Sequence, residues 1–183
     1  NMPIVPEPVI KGGIELEKVD KELQELEKKG AQGNADLVGI KFAITNEGTK
    51  PVWFNNESFD KGEVVTTIET VFEDGKYVAR TKIDDLSYSS YGVQEVETNG
   101  TYLLTDRIKR VVSVRNHEQY HTTDLEDLDL IFENKVARGD LYLEKWSKET
   151  NERVPTGNGT LDGAIYEITN KSEKGVIVEG VFY

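Results

Sequence analysis

The chain has 183 residues, 37% hydrophobic and 31% charged, with a formal net charge of −12 and no cysteine. This is the composition of an ordinary soluble globular protein: it excludes a disordered chain, and an acidic balance without a basic patch excludes nucleic-acid binding. No apolar run approaches the length of a membrane span, and disulfides are excluded, so the chain is either cytoplasmic or uses another means of stabilising exported domains.

In chain order, residues 1–11, with Pro3, Pro6 and Pro8, read as a semi-rigid linker without the basic-then-apolar layout of a signal peptide, as in a fragment of a longer protein. Alternating or β-branched runs then predict strands over 14–19, 38–45, 51–54, 63–73, 76–83, 89–97, 107–115 and 125–134. Turn signals such as Glu47-Gly48, Glu73-Asp74-Gly75 and Asn99-Gly100 separate many of them. The exception is "DKELQELEKKG" from Asp20, where Leu23 and Leu26 stand among good helix formers ahead of Gly30, which predicts a short surface helix. Many short strands with regular turns predict an all-β sandwich.

An internal repeat organises the chain. "IELEKVDKE" from Ile14 recurs as "LYLEKWSKE" from Leu141, and "GNADLVGIKFAITNEGTKPVWF" from Gly33 recurs as "GNGTLDGAIYEITNKSEKGVIV" from Gly157. Repeated sequence implies repeated structural units. The expected layout is a linker over 1–11, a complete unit over 12–136, and the front part of a second, truncated unit over 137–183.

Three polar residues continue apolar stripes. Counting back by twos, Lys18 follows Leu16 and Ile14, Glu95 follows Val93 and Tyr91, and Asn134 follows Phe132, Leu130 and Leu128. Each would point into the sandwich core, where burial without a partner is expensive, so the three are expected to meet. One outcome is a buried ion pair capped by an amide. The other is chemical: burial favours a neutral amine beside a protonated acid, and the Lys18 amine can then attack the Asn134 carboxamide while Glu95 relays protons, releasing ammonia and leaving a Lys–Asn isopeptide bond. In the second unit, Lys145 follows Leu141 and Leu143 as Lys18 follows its stripe, which makes it the corresponding cross-linking lysine.

The "LEKVDKE" first strand, the "YGVQEVETNGTYLLTD" segment and the closing "LIFENKVARGDL" resemble the Cna B-type, or SpaA-like (prealbumin-like), domains of Gram-positive surface proteins and pilins. The resemblance implies an Ig-like sandwich strung in tandem as a stalk, with a spontaneous isopeptide bond between Lys18 and Asn134 promoted by Glu95. It further implies a non-enzymatic, extracellular, cell-wall-anchored adhesin or pilin without cofactors, whose partners are neighbouring domains of the same protein and possible host proteins or glycans. The long 20–36 connection departs from the short turn of that family, and Glu97, two residues after Glu95, competes for its role.

Two other motifs point elsewhere. "HEQYH" at 117–121 spells H-E-x-x-H, which on a helix would present His117 and His121 to a zinc ion for a hydrolase, but its β-rich flanks predict a turn with both histidines exposed and no metal. Arg138-Gly139-Asp140 matches an integrin-binding tripeptide at a junction where a polar connector is expected. A binding module would need an exposed aromatic cluster, for which Trp53 and Phe54 are the candidates, divided by strand alternation between surface and core.

Overall fold

Because side chains alternate across a strand, Ile14, Leu16 and Lys18 form one inward row, and this row makes the first strand a wall of the core. The computed structural model describes residues 6–122 and 130–183. In it β1 spans Lys11–Asp20, three residues earlier than its alternating pattern begins. Gly12 and Gly13 allow this extension: a Cβ at Gly13 would lie 2.7 Å from the Tyr120 ring, so only glycine admits the neighbouring strand there.

Along the chain follow α1 (Lys21–Glu25), β2 (Lys41–Asn46), β3 (Val52–Phe54), β4 (Glu57–Phe59), β5 (Val64–Glu69), β6 (Val71–Glu73) and β7 (Lys76–Arg80). Then come β8 (Leu86–Ser87), β9 (Ser89–Glu97), β10 (Tyr102–Leu103), β11 (Arg110–Val114), β12 (Tyr120–His121), β13 (Ile131–Val136), β14 (Ile177–Val178) and β15 (Val181–Phe182). One sheet has the order β10-β13-β1-β7-β6, with β8 and β12 pairing the start of β1; the other has the order β11-β9-β2-β5. Their inner faces share one core, where Phe42 of β2 meets Phe132 of β13 edge-on at 4.8 Å. The protein is an all-β sandwich, as its strand pattern predicts.

β1 and β13 are parallel neighbours, with Lys18 beside Phe132 and Asp20 beside Asn134. The chain therefore enters at one end of this sheet and leaves β13 at the other. The run predicted as one strand over 63–73 is broken at Thr70, whose buried hydroxyl accepts from Ile40 N at 2.9 Å and donates to the Leu37 carbonyl. This corner passes the chain from β5 in one sheet to β6 in the other. The first part of the strand predicted over 125–134, including Leu128, lies outside the described residues; within them the closing strand is β13.

The helix is shorter than its sequence pattern. Asp20 caps it, its carboxylate accepting from Glu22 N at 2.9 Å and Leu23 N at 3.0 Å, while only Leu23 is buried. Leu26 is already the C-cap, and Glu27 takes a positive φ of 56°. The same buried carboxylate receives the Tyr102 hydroxyl at 2.7 Å and Gln32 Nε2 at 3.0 Å, so one side chain ties β1, α1, the 31–35 loop and β10 together.

In the second repeat, residues 141–145 pair with no strand among the described residues, and Lys145 is exposed. The β14–β15 hairpin nevertheless copies β3–β4. Val52 faces Phe59 and Trp53 faces Ser58, as Val176 bonds Tyr183 and Ile177 faces Phe182. The turn is copied too, with positive φ at Asn55 and Asn56 and again at Glu179 and Gly180. Asn46 Nδ2 donates to the Lys50 carbonyl at 3.0 Å, and Asn170 Nδ2 to the Lys174 carbonyl at 3.1 Å. This second hairpin lies on the 22–35 segment of the first repeat: Ile177 is buried, its N–H donates to Gln32 Oε1 at 2.9 Å, and Gly33 N donates to the Gly175 carbonyl at 2.9 Å.

Candidate functional site

The three inward polar residues meet. Lys18 on β1 and Asn134 on β13 belong to adjacent strands of one sheet, and Glu95 on β9 reaches them across the core from the other. Their relative exposures are 1%, 0% and 2%, so water is excluded from all three. Lys18 Nζ lies 2.8 Å from Glu95 Oε2, and Asn134 Nδ2 donates to Glu95 Oε1 at 2.5 Å. One carboxyl group thus bridges an amine and a carboxamide nitrogen, an oxygen on each. Buried Phe42, opposite Glu95, and buried Phe132, beside Lys18, give the cluster apolar walls.

Burial pushes the Lys18 pKa down, against the hydrogen bond and charge of Glu95 that pull it up. It pushes the Glu95 pKa up, against the opposing pull of Lys18 and Asn134. Both displacements favour moving a proton from the ammonium to the carboxylate, which gives an uncharged amine beside an uncharged acid in a low-dielectric site.

The far end of the Asn134 carboxamide is also held. Its Oδ1 accepts from Thr105 N at 3.3 Å, Thr105 Oγ1 at 3.2 Å and Asp106 N at 3.3 Å. Asp106 is paired with Arg110 at 2.7 Å, and the guanidinium of Arg110 lies over the Phe132 ring, 3.9 Å from its centroid. Sequence reasoning missed Thr105, Asp106 and Arg110, because they sit on an irregular connection and a strand start where no periodicity marks an inward side chain. The spacing of Asp106 and Arg110 resembles a helical pair, yet they lie on no helix.

Glu97 does not compete for the site. The β2–β9 register steps from Phe42 opposite Glu95 to Lys41 opposite Glu97, so Val96 is an extra residue, and this β-bulge turns Glu97 outward onto Lys41 Nζ at 3.0 Å. The 117–121 stretch is a turn followed by β12, so its two histidines do not share a helix face. His117 is exposed as expected; His121 is half-buried instead, with its Nε2 3.4 Å from Arg115 N, because β12 pairs with β1. Arg138 of the R-G-D tripeptide is occupied, bonding the Ile177 carbonyl at 2.6 Å and Glu22 at 2.8 Å. Trp53 is 62% exposed while Phe54 packs on the core, the division that alternation predicts.

The fold and the cluster define an all-β sandwich with a buried Lys–Glu–Asn constellation joining its two sheets. No protein-family model matches the chain, and a search of curated proteins returns no match. Among solved structures, the chain is similar to GBS52, the minor pilin of the Gram-positive pathogen Streptococcus agalactiae, with 19% identity and a TM-score of 0.40. The match covers 76% of this chain and 51% of the pilin's, so this chain spans about half the length of that protein. The fold is defined by the strand pairings themselves.

Proposed function

We propose that the chain is a structural module of a Gram-positive cell-surface protein, a Cna B-type stalk repeat of an adhesin or pilin, locked by an isopeptide bond between Lys18 and Asn134. The observation that carries this reading is the single Glu95 carboxyl bridging the Lys18 amine and the Asn134 amide nitrogen inside a dry core. The amine attacks Asn134 Cγ, the carboxyl takes a proton from Nζ and supplies one to Nδ2, and ammonia leaves. An ion pair whose desolvation is costly becomes a neutral amide.

The strand arrangement supports a mechanical role. The bond would join parallel neighbours that are the first and last long strands of the unit, so tension applied at its two ends would shear β1 against β13. A covalent tie carries that load in place of the hydrogen-bond ladder. It also closes almost the whole unit into one loop, which restricts the unfolded chain by about 4–5 kcal/mol on the chain-entropy estimate for roughly 100 residues. Residues 12–136 form the complete unit in this reading, and 137–183 the beginning of the next, in which Lys145 would be the matching lysine. The partners are then neighbouring repeats, and the place of action is outside the cell.

Intact-mass spectrometry tests the bond. The wild-type chain should be lighter than its sequence by one ammonia, and Lys18→Ala, Glu95→Ala and Asn134→Ala should each have the full sequence mass and lose thermal and protease resistance. A wild-type mass equal to the sequence mass would falsify the cross-link and leave a buried polar cluster.

A further inference from the structure

An amide is a poor electrophile, and the bridging carboxyl accounts only for proton movement. When an amine adds to Asn134 Cγ, the carbonyl electron pair moves onto Oδ1, and a full negative charge develops on a residue that is itself buried from solvent. Something must receive that charge, because in a low-dielectric interior an unsolvated oxyanion is strongly disfavoured.

We propose that the backbone N–H groups of Thr105 and Asp106, with the Thr105 hydroxyl, form an oxyanion site for the reaction at Asn134. The inference rests on the cross-linking reading and adds to it a catalytic element outside the Lys–Glu–Asn set. All three donors converge on Oδ1 at 3.2–3.3 Å. Those contacts are long for hydrogen bonds to a resting carbonyl and leave room to shorten as charge accumulates. Interactions stronger in the transition state than in the ground state are the ones that accelerate a reaction.

The donors are held in advance. β10 pairs with β13 through Tyr102–Val136 and Leu103–Lys135, which brings the next residues alongside Glu133 and Asn134. Asp106 then fixes its own segment: its carboxylate accepts from Glu133 N at 3.4 Å, Ile108 N at 3.3 Å and Arg110 Nη2 at 2.7 Å. Arg110 also offsets the negative charge that Asp106 would otherwise place near the developing oxyanion. Glu95 and the Thr105–Asp106 turn thus divide the carboxamide between them, the carboxyl serving its nitrogen and the turn its oxygen.

The step balances without any further reactant. The Nζ–Cγ bond forms as the carbonyl pair moves to Oδ1; Glu95 Oε2 accepts the Nζ proton, and the proton carried by the acid passes through Oε1 to Nδ2. The pair on Oδ1 then restores the carbonyl as the Cγ–Nδ2 bond breaks and ammonia departs.

The test follows the loss of ammonia with time in the full chain made by cell-free translation, quenched in denaturing acid and read by intact mass. Thr105→Val keeps the side-chain shape and removes one of three donors, so cross-linking should slow by about a hundred- to a thousandfold. Thr105→Ser, which restores the hydroxyl, should react at nearly the wild-type rate. In the Lys18→Ala background, where no bond can form, Thr105→Val and the parent should show equal protection of the Phe42 and Ile44 amides from hydrogen exchange, so that slow reaction is not slow folding. A Thr105→Val chain that reacts at the wild-type rate, a Thr105→Ser chain as slow as Thr105→Val, or unequal amide protection in the Lys18→Ala background overturns the oxyanion site while the cross-link stands. A wild-type chain that never loses ammonia overturns both.

Discussion

At the scale of single residues, paired charges are built into the largely apolar interior of this sandwich. Asp106 shows it outside the central cluster. Burial raises its pKa, but the hydrogen bond and charge of Arg110, with the N–H groups of Glu133 and Ile108, outweigh burial and hold it below the usual carboxylate range. A carboxyl depressed in the folded state contributes stability above its unfolded pKa, near 3.8, and that stability is lost as pH falls through the lower folded value. Asp106→Asn should therefore destabilise the chain at neutral pH by about 1.5–3 kcal/mol, the range for hydrogen bonds to a charged group. Denaturant unfolding of the two proteins should converge as the pH is lowered below the folded value, and a difference independent of pH would remove the ionised Asp106–Arg110 pair from the account. Lys18, Glu95 and Asn134 were legible without a structure, because each continues an apolar alternation that stays in register up to that residue. Asp106 was not, because it belongs to no alternation.

At the scale of elements, long strands announce themselves and short ones do not. β1, β9 and β13 carry enough alternating positions to be read from sequence, whereas β10 and β12 have two residues each and owe their pairing to β13 and β1, neighbours brought from far along the chain. The α1 helix has only five residues, too few for intrinsic propensity to sustain, and depends on the Asp20 cap. Asp20→Ala should cost about 1 kcal/mol for the cap and a further 1–3 kcal/mol for leaving the buried Tyr102 hydroxyl without its acceptor. Tyr102→Phe in the same background should recover part of that second loss, since the orphaned hydroxyl is then gone. Thermal unfolding of the two single variants and the double variant measures the coupling, and strictly additive effects would show that Asp20 acts on the helix alone. The bulge at Val96 is likewise invisible to a period-two reading, which places Glu97 inward with Glu95 when the bulge has turned it out.

At the scale of the whole molecule, the chain is a sandwich carrying a second, partial copy of its own sequence. The copied hairpin has two apolar faces. Val176, Val178 and Tyr183 correspond to Val52, Phe54 and Phe59, which face the first core, while Ile177 and Phe182 lie against the 22–35 segment, with Lys28 Nζ 4.4 Å from the Phe182 ring centroid. Ile177→Asp should detach the hairpin without opening it. Hydrogen exchange should then speed at the Gly33 amide, which bonds Gly175, while the Val176 and Tyr183 amides, bonded to one another's carbonyls, stay slow. An unchanged Gly33 rate would mean that Ile177 does not anchor the contact.

Sequence alone determined the β class, the repeat and the three inward polar side chains, because alternation and repetition are local properties that burial of one sheet face imposes on every strand long enough to show them. Tertiary structure decided the rest: that Lys18 and Asn134 stand on parallel neighbours, that one carboxyl from the opposite sheet bridges them, that the bulge at Val96 excludes Glu97, and that Thr105 and Asp106 converge on the Asn134 oxygen. Each of these depends on strand order, register or sheet packing, which are set by contacts between residues distant in the chain and leave no period in the sequence to read.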